Sequence, residues 1–346
     1  SAAVAVENVN NKAETNIKNN VNLQAPKGNI AVTAASEQEY NRINQMIADL
    51  EDGLKSFLEQ FKGDDVAKRI GSRVQSIITD VHTLQKEDKA TSIKKSKLFA
   101  KKAKAAINLF TEVTGTTDLY KALLAFIDAS NYANIAVSAY SKNDNDSGND
   151  VTAVATASVG VQNLHNTANV NIGASTQIKA VEYDASGAVV NYGNVNIAAD
   201  VKEGNVLGIG KWVLIPDPIT TGGAENGLGG SVAVQNAYND SKVQIMSGVN
   251  IDAGAIDIGS TNDVFNLGLV LGGAQTSARG LTGMVSYMGG ESHAETLVDD
   301  DVSFTARKKV EEVTEKDENG EETTVDKVTS SGAVNISANN DTNVIS

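Results

Sequence analysis

Seven lysines crowd the stretch from Lys89 to Lys104, and no acidic residue interrupts the chain between Lys89 and Thr111. On a helix, Lys94, Lys97, Lys101 and Lys104 step by three and four positions and share one face. Such a face attracts an anionic glycan or a lipid head group, although plain solvation or pairing with acidic neighbours would use it equally well. Trp212, the single tryptophan, precedes an apolar run with two prolines, Val213-Leu214-Ile215-Pro216-Asp217-Pro218. Its ring would either cap the neighbouring structure or protrude and stack on a sugar. Lys94, Lys97, Lys101, Lys104 and Trp212 are therefore the candidate surface-binding residues.

Other reactive groups offer less. The run Asp144-Asn145-Asp146-Ser147-Gly148-Asn149-Asp150 supplies oxygens for calcium but lacks EF-hand spacing and its terminal glutamate, so a solvated turn competes with a metal site. Asp299-Asp300-Asp301 precedes a strand. It reads either as carboxylates of a β-helical polysaccharide lyase or hydrolase, or as an exposed acidic turn. His82, His165 and His293 stand alone, without metal-ligand spacing. The pairs Gly222-Gly223 and Gly229-Gly230 lack the lysine and helix of a phosphate loop. With no cysteine, thiol chemistry and disulfides drop out. No catalytic, cofactor-binding or metal residue is assigned, and the expectation is a non-enzyme.

The elements that must hold these residues divide by composition. The chain has 346 residues and a net charge of −14, so the basic footprint of a nucleic-acid protein is missing. Residues 37–133 hold 4 of the 30 glycines, with 15 basic and 14 acidic side chains. Here the spacing is helical: Ile43, Ile47, Leu50, Leu54, Phe57 and Phe61, then Val66, Ile70, Val74, Ile77, Val81 and Leu84. Gly63 stops the first run and Asp64 caps the second. A third helix over about 92–113 and a shorter one over about 119–129 complete an expected inserted bundle.

Residues 1–36 and 134–346 repeat. Val4-Ala5-Val6-Glu7-Asn8 recurs as Val159-Gly160-Val161-Gln162-Asn163 and Val232-Ala233-Val234-Gln235-Asn236, and loosely as Val285-Ser286-Tyr287. A second strand class begins at one identical offset from each copy, at Val21, Thr176, Val249 and Val302. A third follows at Ile30, Val195, Ile256 and Val334. The interval from Val232 to Val285 is the shortest and marks the uninterrupted unit. The longer intervals from Val4 to Val159 and from Val159 to Val232 carry surplus chain, and the fourth unit carries an excursion of its own. These surpluses place the helical insertion and hairpin excursions near 181–193 and 308–328 between strands. Asn319-Gly320 is a hairpin turn signal. Five-residue strands with Gly, Asn, Asp and Ser turns predict a mainly β chain. The expected architecture is a right-handed parallel β-helix, with Val and Ile inside and Asn, Thr and Ser in ladders outside. A β-sandwich is the competing architecture.

The run Ser231-Val232-Ala233-Val234-Gln235-Asn236, then Ser247-Gly248-Val249-Asn250-Ile251-Asp252-Ala253, then Asn266-Leu267-Gly268-Leu269-Val270, resembles repeats of leukotoxin-type filamentous adhesins. These are very large secreted bacterial proteins in the style of filamentous haemagglutinin. The resemblance covers about 1–36 and 134–346, and the helical block and the Trp212 loop depart from it. It implies a slice of a β-helical stalk on the exterior of a Gram-negative outer membrane, exported by outer-membrane secretion machinery. It also implies attachment to a host-cell or bacterial surface receptor or glycan, and it carries no catalytic residue. The absence of a basic stretch followed by an apolar one at the N-terminus fits a fragment better than a cytoplasmic protein. A carbohydrate-active β-helix enzyme and a ligand-free spacer of a long surface protein are the alternatives.

Overall fold

Alternation of apolar and polar residues over long stretches drives extended structure, and the chain follows it. The computed structural model describes residues 2–38, 65–85, 135–137, 153–209, 226–270, 279–316 and 322–345, with positions 48, 51, 52, 55 and 95 besides. These residues are mainly β-strand, and most strands lie in parallel sheets.

Each strand class of the repeat builds its own sheet. Sheet A joins β1 (Ala2–Ile17), β5 (Ala153–Ile172), β10 (Asn226–Ile245) and β13 (Arg279–Val298) in that order. Sheet B joins the short strands β2 (Asn22–Gln24), β6 (Gln177–Lys179), β11 (Asn250–Ala253) and β14 (Ser303–Ala306). Sheet C joins β3 (Ile30–Gln38), β9 (Val195–Ile209), β12 (Ile256–Val270) and β17 (Val334–Ile345), with β4 (Ile135–Val137) also on β9. Val4, Val159, Val232 and Val285 are register partners. So are Leu23, Ile178, Ile251 and Phe304, and Ile30, Val195, Ile256 and Val334. The residue alignment of the repeats is thus the hydrogen-bonded register.

The turn from sheet A to sheet B is built the same way in all four units. Asn20, Ser175, Gly248 and Asp301 occupy the same place relative to the leading valine of each unit, and their φ angles are 59°, 57°, 74° and 59°. Asn, Asp and Gly tolerate this left-handed conformation best, which explains the turn composition. The turns stack through backbone bonds, with Asn20 N–H donating to Ala174 O and Ser175 N–H to Ser247 O. The other corner, from sheet B to sheet C, is where hairpins emerge. β7 (Val181–Tyr183) with β8 (Val189–Tyr192), and β15 (Lys308–Lys316) with β16 (Glu322–Ser331), are antiparallel pairs.

The insertion interrupts a strand position. Gln38 pairs with Glu203 and Ile135 with Leu207, so residues 39–134 stand where only Gly204, Asn205 and Val206 separate the two pairings on β9. Within the insertion one helix is described, α1 (Asp65–Gln85). It starts after the predicted Asp64 cap and buries Val74, Ile77 and Ile78. The expected four-helix bundle is not supported beyond α1, and the remaining helix predictions fall largely outside the described residues. Among the described residues no helix is long and apolar enough to cross a membrane.

The main core lies where the three sheets meet, around Val170, Ile172, Ile178, Val195, Ile197 and Ile251. A smaller cluster of Leu207, Ile209 and Ala233 sits toward the other end of sheets A and C. Each fully buried Val, Leu or Ile contributes roughly 1.5–3 kcal/mol. Two expectations need correction. Strands of sheets A and C are far longer than five residues, β5, β10 and β13 reaching 20 residues each. In sheet A the leading valines point outward, Val4 being 69% and Val6 62% exposed, while Gln162, Asn166, Gln235 and Asn239 are buried. Alternation defines two faces without saying which is inner. Here the inner one is amide-rich because its amides find partners across the sheets.

Candidate functional site

Parallel in-register pairing aligns the outward side chains of sheet A in rows across its four strands. The first two rows are Val4, Val159, Val232, Val285 and Val6, Val161, Val234, Tyr287. The third is an amide ladder: Asn163 Nδ2 donates to Asn8 Oδ1 at 2.8 Å, and Asn236 Nδ2 to Asn163 Oδ1 at 3.0 Å. On β13 this row holds Gly289, and a Cβ there would run into the Tyr287 hydroxyl oxygen. The phenol therefore fills the position where a fourth amide would stand. The fourth row is Asn10, His165, Tyr238 and Glu291, with the His165 and Tyr238 rings 6.2 Å apart and tilted by 56°. Val285 and Tyr287 are more than half exposed, and Leu281 adds to the apolar area. A contiguous exposed apolar band bordered by polar rows has the character of a contact surface. Charge gathers further along the face, where Lys242 Nζ meets Glu295 Oε2 at 3.0 Å.

Behind this face, between sheets A and C, lies a buried belt of amides around one carboxyl. Glu203 has no exposed surface. Its Oε2 accepts from Asn166 Nδ2 at 2.5 Å and its Oε1 from Asn266 Nδ2 at 2.6 Å. Asn166 also donates to Asn239 Oδ1 at 3.0 Å and accepts from Asn11 Nδ2 at 2.9 Å. Gln235 Nε2 donates to Asn266 Oδ1 at 2.7 Å. Gln162 and Asn205 exchange amide bonds, and Gln162 donates to Glu7 Oε2 at 2.6 Å. Burial holds the Glu203 carboxyl above the ordinary glutamate value, against the amide bonds from Asn266, Asn239 and Asn166 that favour the anion.

The hairpin corner is tied by charge. The Tyr183 hydroxyl donates to Asp252 Oδ2 at 2.6 Å, and the Arg307 guanidinium pairs with the same nearly buried carboxylate. The Tyr192 hydroxyl donates to Lys308 O at 2.5 Å, and Ser330 Oγ to Arg307 O at 2.8 Å. These contacts fasten both hairpins to β11 and to the end of β14. In the β7–β8 turn, bonds from the Ser186 hydroxyl and the Ala188 N–H hold Asp184 below the usual carboxylate range.

The candidate residues from the sequence divide accordingly. Lys94, Lys97, Lys101, Lys104 and Trp212 lie outside the described residues, as does the run Asp144–Asp150. Lys95, a neighbour in the lysine run, is buried. Asp299, Asp300 and Asp301 are exposed in the turn from sheet A to sheet B, and Asp301 supplies its left-handed residue. His82 bonds Glu51 through Nδ1 at 3.1 Å. Burial is the largest influence on Glu51 and raises it, yet Lys55 and His82 together hold the carboxyl below its ordinary value. Among the described residues no cluster of three His, Cys, Asp or Glu could hold a metal. The outer face of sheet A and the Glu203 belt escaped the sequence reading, although the same register that aligned the valines also aligned Glu7, Gln162 and Gln235. The chain matches no protein-family model, no curated protein and no solved structure.

Proposed function

We propose that the chain is a segment of an extracellular attachment protein: a parallel β-helical stalk, one turn of the helix per repeat unit, secreted to the exterior of a Gram-negative cell. The observation that supports this reading is the shared register of four repeat units, which sets like residues in rows across an exposed face. Three sheets joined by stacked turns suit a solenoid, because every unit contacts only its neighbours and the stack extends without a new core. Rows of Val, Asn and aromatic residues on a stiff surface suit contact with another surface rather than turnover of a substrate. Asp301 supplies the left-handed residue of a turn, so among the described residues the acids near Asp299 favour a structural role over the carbohydrate-active one. The insertion at 39–134, with its lysine run, is the second contact element in this reading, and its partner is an anionic glycan or surface receptor.

The test is adhesion of the purified chain to host cells, bacterial cells and a glycan array. Binding is expected, with loss of a large part of it when Lys94, Lys97, Lys101 and Lys104 are all changed to Glu. The loss should be greatest at low ionic strength, because salt screens exposed charges. Failure of the unaltered chain to bind any of these surfaces would overturn attachment in favour of the spacer. Depolymerisation of a polysaccharide, abolished by Asp301→Ala, would overturn the non-enzymatic reading.

A further inference from the structure

The Glu203 belt has a feature that neither a stalk nor an attachment surface requires. A carboxyl stands in the interior, and its partners are all neutral amides. The groups that face it are identifiable. Sheet A contributes Asn166 from its own repeat unit and Asn239 from the next. Sheet C contributes Asn266, with Gln38 as register partner on β3 and Val264 on β12. Among the described residues the other carboxylate turned into this space is Glu7, reached through Gln162 and Asn205. Lys202 is adjacent in sequence but on the opposite side of β9, where it pairs with Glu37. Asp200 lies on that outer side too. Among the described residues, therefore, no cation within the belt balances an ionised Glu203, and an uncompensated buried anion is costly.

We propose that Glu203 is a proton-operated latch between the second and third repeat units, closed when the carboxyl carries its proton and strained when it does not. The latch spans the units because Glu203 belongs to the second while Asn239 and Asn266 belong to the third. Protonation turns one carboxyl oxygen from acceptor into donor, which requires one facing amide to turn over. Asn166 can do so: its oxygen would accept the carboxyl proton and its nitrogen would donate to the half-buried Asn11, whose own amide turns toward the surface, at the cost of the bond that Asn166 now donates to Asn239 Oδ1. The surface end of that path returns the Asn11 amide to solvent, and the buried Asn239 oxygen is the group left to find a new donor. Loss of the proton reverses the sequence and places a negative charge among amides.

The sign of the linkage follows. The folded chain keeps a proton that the unfolded chain gives up near the ordinary glutamate value of about 4.3. Below that value both states hold it and the latch is fully closed. Above it, the folded-to-unfolded ratio falls up to tenfold per pH unit from this group until the folded carboxyl itself ionises. The experiment is urea unfolding of the full chain across this range, alongside carbon NMR of the glutamate carboxyls in the unaltered protein. Glu203→Gln should flatten the pH slope by up to one proton. One carboxyl resonance should titrate above the rest and vanish in the variant. An unchanged slope in a folded Glu203→Gln chain would overturn the latch. If that variant does not fold, the NMR of the native chain decides: an elevated carboxyl supports the proposal, and uniform titration of all glutamates refutes it.

Discussion

A left-handed residue recurs at one place in each repeat unit, and its chemistry is the clearest statement at the scale of single residues. Asn20, Ser175, Gly248 and Asp301 share the turn, but only glycine adopts this backbone without a steric penalty of about 1–2 kcal/mol. Ser175→Gly should raise stability by up to about 1 kcal/mol, after allowing for the greater freedom glycine has when unfolded. Gly248→Val should lower it by about 2 kcal/mol, because a β-branched side chain is least tolerant of positive φ. Chemical denaturation of the two variants checks both directions. The same position explains why acids at 299–301 looked like candidate chemistry. Asp is chosen there for its backbone tolerance, and a run of three carboxylates carries no mark that separates a turn from a catalytic edge.

At the scale of elements, the sequence was most legible where spacing alone decides. The constant offset between the first and second strand motifs located the strand classes, and those classes became three sheets with the predicted partners aligned. The inside of sheet A was not legible. Val-x-Val patterns pointed to a valine core, yet the amides between the valines face inward, because Gln162, Asn166, Gln235 and Asn239 satisfy one another and Glu203 through bonds that cross to sheet C. Pairings across two sheets leave no periodic trace in one strand. The lysine stripe and Trp212 rest on helical spacing and composition, and they lie outside the described residues. The hairpin corner gives a prediction at this scale. Arg307→Met leaves the Asp252 carboxylate nearly buried without its cation and should cost about 2–3 kcal/mol. Tyr183→Phe should cost about 1 kcal/mol. A double-mutant cycle should show the two effects coupled, since both act on one carboxylate.

For the whole molecule, the insertion and the sheets are separable by design of the register. Only Gly204, Asn205 and Val206 of β9 lie between the partner of Gln38 and the partner of Ile135. Replacing residues 39–134 with a linker that matches those three positions should therefore leave the parallel sheets intact. A strand-dominated far-UV spectrum with a single unfolding transition would show it. Collapse of the spectrum would show that the insertion holds the first unit in place. The length of chain between paired valines also sets an order of events. It is longest from Val4 to Val159, shorter from Val159 to Val232, and shortest from Val232 to Val285. Closing the longest loop costs about 1 kcal/mol more in chain entropy than closing the shortest. The third and fourth units are therefore expected to pair first, and pulsed hydrogen exchange during refolding, read at β1 and β13, checks it: protection of β1 ahead of β13 would overturn that order. The first unit joins last, although it leaves the ribosome first. On that order β1 would wait as an unpaired strand, and growth of the stack would run against the direction of synthesis.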